Sequence, residues 1–222
     1  KEFTDKVYVV SNKGFCEPDR PTALSKTSND WVLYLDADEE VTPRLREEIT
    51  KMITKTKVTV TKSDSHPGYL GFNSYYIPRK NIFLGKWIKG SGWYPGYVLR
   101  LFKKDFVRFS LSIHTDLTPV SSYGYFREPL NHYTCENLEE YLNKLNRYTG
   151  ILAMQAYEKG ARINPLNIIV KLGFLPLVYG LKKLILQKGF RDGAEGFLIA
   201  FLTGLTVFLM NAKVWEIQKN DA

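Results

Sequence analysis

The chain has 222 residues, 44% hydrophobic and 24% charged, an ordinary globular composition that excludes disorder throughout. Its 31 Lys+Arg against 23 Asp+Glu give a formal charge of +8, which favours a polyanion, a phosphorylated substrate or an anionic membrane as partner. Cys16 and Cys135 are too few for a disulfide framework, and with the three histidines they make no zinc-finger spacing, so a reducing compartment is the better fit.

The sequence opens on KEFTDKVYVV, with no initiating Met and no signal-peptide pattern, which reads as the middle of a domain. Residues 6–10 (KVYVV) predict a strand, and 11–30 a polar loop with a short helix around Thr22–Lys26. Residues 31–35 (WVLYL) are an unbroken apolar run, the pattern of a strand covered on both faces as in a parallel sheet. The acidic run Asp36-Ala37-Asp38-Glu39-Glu40 follows. Thr42-Pro43 then marks a helix start, with Thr as N-cap and Pro in the first turn, and Leu45, Ile49, Met52 and Ile53 keep helical spacing to about residue 55.

Residues 56–71 read as a loop. Strands are predicted at 72–79, 98–103 and 106–113, with the Gly/Trp-rich stretch GKWIKGSGWYPG (85–96) among them. From Leu138 the period changes: Leu138, Tyr141, Leu142, Leu145, Thr149, Leu152, Ala153 and Ala156 form one helical stripe that stops at Lys159-Gly160. The last third is apolar, at 166–186 and again in the uncharged run of 14 at 197–210. A spanning helix needs about 20 apolar residues. Three arrangements therefore compete: helices lying in a membrane interface, a helix pair in a protein core, and a true span. The flanking Lys171, Lys182, Lys183, Lys188 and Lys213 favour the first.

The strongest local signal is Trp31-Val-Leu-Tyr-Leu-Asp36-Ala-Asp38-Glu39. Alternation along an extended chain puts Asp36 and Asp38 on one side, at the carboxyl end of a strand where open α/β sheets bind ligands. Two carboxylates suit Mg²⁺ or Mn²⁺, which would hold a diphosphate and stabilise it as a leaving group. The same acids also suit a plainer role, favouring the dipole of the next helix.

At this point the residues match a known pattern. WVLYLDADEEVTPRLREEI resembles the metal-binding D-x-D segment of family 2 glycosyltransferases, which have the GT-A fold. YYIPRKNIFLGKWIKGSGWYPGYVLRLFKK, HYTCENLEEYLNKLNRYTGILA and KGFRDGAEGF are similar to the branch containing lipopolysaccharide-core β-1,4-glucosyltransferases. The resemblance runs from about Lys6 to Trp215. It implies transfer of a sugar from a nucleotide-sugar, a UDP-sugar by expectation, with inversion, to a lipid-linked or lipopolysaccharide-type glycan. It implies that Asp38 binds the metal and that Asp36 lies near the ribose and metal. The inverting reaction needs a carboxylate base. Where the family often has a His-Glu pair this chain has Ile113-His114-Thr115-Asp116, so Asp116 becomes the candidate base, against the reading of a surface acid. A later His often completes the metal shell, which makes His132 or His114 a candidate, beside a structural hydrogen-bonding role. Arg20, in GFCEPDR, matches a family Arg near the donor diphosphate.

Arg clamps phosphate through paired hydrogen bonds, so Arg100 is a candidate for the donor and Arg79 for an anionic acceptor; a solvated or structural role competes for each. Trp93 and Tyr94 offer aromatic faces for acceptor sugars or, alternatively, pack on the sheet. Asp192 in FRDG reads as a cap for the turn between two helices. The family's opening strand with Asn-Glu-Glu and its Asp-Asp-Gly-Ser strand do not precede this sequence, so part of the nucleotide-binding domain is expected to be missing.

The expected fold is α/β: a GT-A-like, mostly parallel sheet over residues 1–135 and a helical, membrane-associating region over 136–222. The expected partners are a nucleotide-sugar donor, a glycan or glycolipid acceptor and an anionic membrane surface, at the cytoplasmic face of the inner membrane. No recognition-helix or RNA-stacking motif is present, so nucleic acid is not among them. A polyprenyl-phosphate glycosyltransferase and a non-catalytic membrane- or partner-binding module are the competing readings.

Overall fold

The computed structural model describes residues 6–9, 20–55, 71–108 and 117–221. In chain order its elements are α1 (Arg20–Ser25), β1 (Trp31–Leu33), β2 (Glu39–Glu40), α2 (Pro43–Lys55), β3 (Ser74–Phe83), β4 (Lys86–Trp87), β5 (Gly96–Lys103), β6 (Val107–Arg108), β7 (Thr118–Pro119), β8 (Gly124–Tyr125), β9 (Leu130–Cys135), α3 (Leu138–Glu158), α4 (Leu175–Leu181) and α5 (Gly193–Asn220). They form two compact units, one of residues 1–78 and 97–130, the other of 79–96 and 131–222.

In the first unit β1 runs antiparallel to β5, with Trp31 opposite Lys103 and Leu33 opposite Leu101. β8 lies parallel to β3, with Tyr76 opposite Tyr125. β6 and β7 make a separate antiparallel ribbon. The sheet is therefore mixed, and the expectation of a mostly parallel sheet is corrected. The physical reason lies in β1. Trp31 and Leu33 pack toward one apolar cluster, and Val32 and Tyr34 toward another. Cover on both faces produces an unbroken apolar run whichever way the neighbouring strand points. The run revealed the cover and carried no information about direction.

Helix α2 forms where Thr42-Pro43 predicts it. Thr42 Oγ1 accepts from Leu45 N at 3.2 Å and donates to Pro129 O at 3.0 Å. Leu45, Ile49 and Met52 bury its inner face against Tyr75, Ile77, Leu101 and Phe126. The strand predicted at 72–79 starts at Ser74 and continues to Phe83. Lys6–Val9 has no regular structure, so the strand predicted there is not seen over those residues. Of the strand predicted at 106–113, only Val107–Arg108 is observed and 109–113 lie outside the described residues.

In the second unit Ile82–Phe83 of β3 turns back into β4 through Leu84 and Gly85, both at positive φ (49° and 80°), as a two-residue hairpin requires. Helix α3 is capped by Asn137, whose side chain accepts from Glu140 N at 2.8 Å, while Glu140 reaches back to Glu136 N at 3.0 Å. Leu145, Thr149 and Ala153 of the predicted stripe are buried. Ile199 and Leu202 of α5 pack with Phe83, Cys135 and Leu145, and Val214 with Ala153 and Ile163. α4, flanked by π-helical turns at Ile169–Phe174 and Lys182–Leu186, packs along α5 as the other arm of a helical hairpin. Gly204 permits this approach: a Cβ there would sit 2.8 Å from Pro176 O.

Candidate functional site

The apolar strand β1 ends in a tight acidic turn. Asp36 O accepts from Glu39 N at 3.1 Å, and Glu39 Oε2 accepts from Asp36 N at 3.1 Å, so the two acids fix each other's backbone. Arg100, on β5, enters this turn. Its Nη2 donates to Glu39 Oε1 at 2.7 Å and to Asp36 Oδ2. The Glu39 side chain is fully buried, and that of Arg100 is 8% exposed. Arg20, on α1, stands 4.0 Å from Asp36 Oδ1. Both guanidiniums lie 5.2 Å from the ring centre of Tyr34, whose backbone N donates to Arg100 O at 2.8 Å. Burial pulls the Arg100 pKa down, but the hydrogen-bonded Glu39 and Asp36 carboxylates outweigh it and leave Arg100 above its ordinary value. Arg100 Nε is buried and has no hydrogen-bond partner among the described residues.

Three of the predicted residues, Asp36, Arg20 and Arg100, thus meet in one cluster in the first unit. Asp38 sits two residues on in the same turn and is partly buried. Sequence reasoning missed Glu39 as the second partner of Arg100. Its place in the acidic run Asp36-Ala37-Asp38-Glu39-Glu40 gave no sign that this one side chain is covered and needs a cation. Among the described residues no group of three or more His, Cys, Asp or Glu side chains is arranged to hold a metal alone. Mg²⁺ commonly binds through one or two carboxylates plus substrate phosphates, and the Asp36–Asp38 turn is compatible with that mode. The candidate base Asp116, with His114, lies outside the described residues.

The remaining predicted residues belong to the second unit. His132 on β9 has Nδ1 2.6 Å from Asn81 Oδ1, and Asn81 Nδ2 donates to Trp93 O at 2.7 Å. Asn81 Oδ1 can only accept, so the contact is a hydrogen bond in the forms of His132 that carry a proton on Nδ1. Asn81, 6% exposed, therefore ties His132 to the Trp93-Tyr94 loop, a link that nothing in its sequence context announced. Trp93 packs edge-on against Phe83, with centroids 5.8 Å apart, and Tyr94 against Trp87 at 5.2 Å. Arg79 is half-buried on β3.

Asp192 corrects a further expectation. It is only 4% exposed, and its side chain makes no cap for α5. Instead its carboxylate accepts from Lys89 N at 2.9 Å and Gly90 N at 2.6 Å, and its backbone O accepts from Lys86 Nζ at 2.6 Å. A sequence-local cap was the expectation because the partners lie about a hundred residues upstream. The glycine spacing of KGSGWYPG has the same cause: a Cβ on Gly90 would meet Lys188 O at 2.5 Å.

The outer face of the α4–α5 hairpin is apolar. Ile169, Phe174, Leu177, Phe197 and Phe201 are each more than 60% exposed. A groove of about 550 Å³ runs between the arms, walled by Pro176, Gly180, Leu184, Ala200, Gly204 and Phe208 among others. Gly189–Asn220 is long and apolar enough to cross a membrane by length and composition.

No protein-family profile matches the chain, and no solved structure matches it. It is similar to several curated proteins. One is the lipopolysaccharide core biosynthesis glycosyltransferase LpsC of Rhizobium meliloti, 26% identical over 87% of this chain and 67% of that protein. Others are uncharacterized glycosyltransferases of Rickettsia typhi, 24% identical over 94% of this chain and 67% of the relative, and of Rickettsia prowazekii, also 24% identical over the same shares.

Proposed function

We propose that the chain is an inverting, metal-dependent glycosyltransferase of family 2, in the lipopolysaccharide-core branch, which moves a sugar from a UDP-sugar to a lipid-linked or lipopolysaccharide-type glycan. The observation that carries this reading is similarity, over most of the chain, to proteins named as glycosyltransferases, one of them for lipopolysaccharide core biosynthesis. The acidic turn after β1 supports it physically. Arg100 pins Glu39 and Asp36 and so fixes the turn, and Asp38 in the same turn is proposed as the carboxylate that meets a cation. Mg²⁺ or Mn²⁺ bound by Asp38 with Asp36 would supply positive charge to the donor diphosphate as it leaves. Arg20 would add a second positive group beside Asp36. Trp93 and Tyr94, held by Asn81 and Trp87, would face the acceptor sugars, with Arg79 toward an anionic acceptor group. Asp116 is proposed as the base that deprotonates the acceptor hydroxyl, and His132, paired with Asn81 in the second unit, is read in its structural hydrogen-bonding role.

The same proposal places the enzyme on the cytoplasmic face of the inner membrane, with the hairpin lying in the interface. Both ends of the hairpin are tied to polar structure: Asp192 to the Lys89-Gly90 backbone, and Lys213 Nζ to Asn146 O at 2.6 Å and Thr149 Oγ1 at 2.9 Å on α3. α3 itself exposes Glu139, Arg147 and Glu158. A helix bound along its length to such a neighbour suits an in-plane position better than a span.

The test is a thermal shift of the whole chain with UDP and Mn²⁺, separately and together, beside Asp36→Asn/Asp38→Asn. Ligand at ~100 times its dissociation constant adds about 2.7 kcal/mol. A shift that needs both ligands and is lost in the variant supports the reading; a shift that persists in the variant contradicts it.

A further inference from the structure

The turn of the hairpin meets the acceptor-loop candidate in a second, polar pocket. It has a volume of about 410 Å³ and is lined by Lys89 and Tyr94 from the loop and by Leu186, Lys188, Arg191 and Asp192 from the turn, with neighbouring glycines. Among the described residues its one carboxylate is Asp192, which accepts from the Lys89 and Gly90 amides. Lys89, Lys188 and Arg191 thus set three positive charges against one negative charge around the cavity. Lys89 is held in place over the Trp87 ring, 4.4 Å from its centre. The backbone there is built for the approach: Lys188 adopts φ 57°, and a Cβ on Gly92 would meet the Gln187 side chain at 2.7 Å.

Leu186 lines the pocket and is 76% exposed, and Phe190 in the same turn is 58% exposed. Positive charge thus sits at the border of the apolar face that docks on lipid in the proposed reading. An anion dissolved in water has no need of that apolar border. The headgroup of a membrane lipid does, because its acyl chains continue into the hydrocarbon.

We propose that this pocket seats the phosphate or carboxylate of an anionic membrane lipid headgroup, with Lys89, Lys188 and Arg191 as its cations. The inference rests on the interfacial docking reading and adds to it a specific site. Seating a headgroup there would register the Trp93-Tyr94 loop at the membrane surface, since Asp192 joins turn and loop.

The experiment uses the full chain and two sets of vesicles, phosphatidylcholine alone and phosphatidylcholine with phosphatidylglycerol. Lys89→Gln/Arg191→Gln is compared with Arg44→Gln/Lys51→Gln, which removes the same charge from α2. About fivefold of affinity per juxtamembrane cation gives a loss of roughly 30-fold on phosphatidylglycerol vesicles for the pocket pair. The α2 pair, which is not in the pocket lining, is expected to change binding by less than about twofold, the effect of net surface charge alone. Equal losses for both pairs would show generic charge attraction and overturn the pocket. So would release from the vesicles by millimolar inorganic phosphate, which would assign the pocket to a free anion. If the pair lowers the melting temperature, Arg191→Gln alone carries the comparison. Wild-type chain that binds neither vesicle would sink the docking reading itself, whereas binding indifferent to phosphatidylglycerol would sink the pocket alone.

Discussion

Replacing Arg100 with Met tests the cluster beneath the acidic turn. The Arg100 side chain is 8% exposed and that of Glu39 fully buried, and the guanidinium donates to the Glu39 carboxylate at 2.7 Å. Methionine fills similar volume but removes the guanidinium from that carboxylate. Removing one member of a buried ion pair costs about 3–5 kcal/mol, mostly because the other charge stays buried. For a chain of this size each kcal/mol moves the melting temperature by roughly 2–4 °C, so a fall of about 6–20 °C is expected by scanning fluorimetry. Glu39→Gln/Arg100→Met removes both charges and should recover part of that loss, with a coupling of about 1–3 kcal/mol in the double-mutant cycle. A fall below ~2 °C in Arg100→Met, or strict additivity in the cycle, would refute the idea that Arg100 holds the turn.

Asp192→Ala strips a buried acceptor from two backbone amides and should lower stability by about 3 kcal/mol, while Asp192→Asn should lose less because it keeps one acceptor oxygen; chemical denaturation reads both. Gly124→Ala puts a methyl group 2.6 Å from Tyr75 Cε1 in the first unit's core, so a loss of about 1–3 kcal/mol is expected by the same assay, and an unchanged midpoint would refute the close packing of β8 on β3. Glu195 titrates below its ordinary range because Lys86 donates to its carboxylate at 2.8 Å. Its contribution is therefore fully present above the unfolded glutamate pKa of ~4.3 and disappears as pH falls through the lower folded value. Glu195→Gln should flatten the melting-temperature profile in that acidic window and leave its slope near neutrality unchanged.

Much of the fold was legible where one local rule decides the outcome. Thr42-Pro43 gave the start of α2 because the cap and the proline act within a single turn, and the Leu138–Ala156 stripe gave α3 because one helical face is buried. Strand direction in β1 was not legible, since burial on two faces looks alike in parallel and antiparallel company. In the candidate site the acids of the turn were visible as a motif, and Arg100 as an arginine inside an apolar strand. The roles of Asn81 and Asp192 were not. Their partners are set by tertiary contacts, and a lone Asn or Asp carries no mark of which distant amide or ring it will meet.

The most direct test of the proposed transfer is turnover. The chain, on vesicles carrying a lipopolysaccharide-core glycolipid, is incubated with Mn²⁺ and a panel of UDP-sugars, and released UDP is followed alongside sugar added to the glycolipid. The account predicts that one donor gives UDP and extended glycolipid in equal amounts, that both stop in Asp38→Asn, and that the new linkage is inverted relative to the donor. Extended glycolipid formed at an undiminished rate by Asp38→Asn, or a retained anomeric configuration, would contradict it.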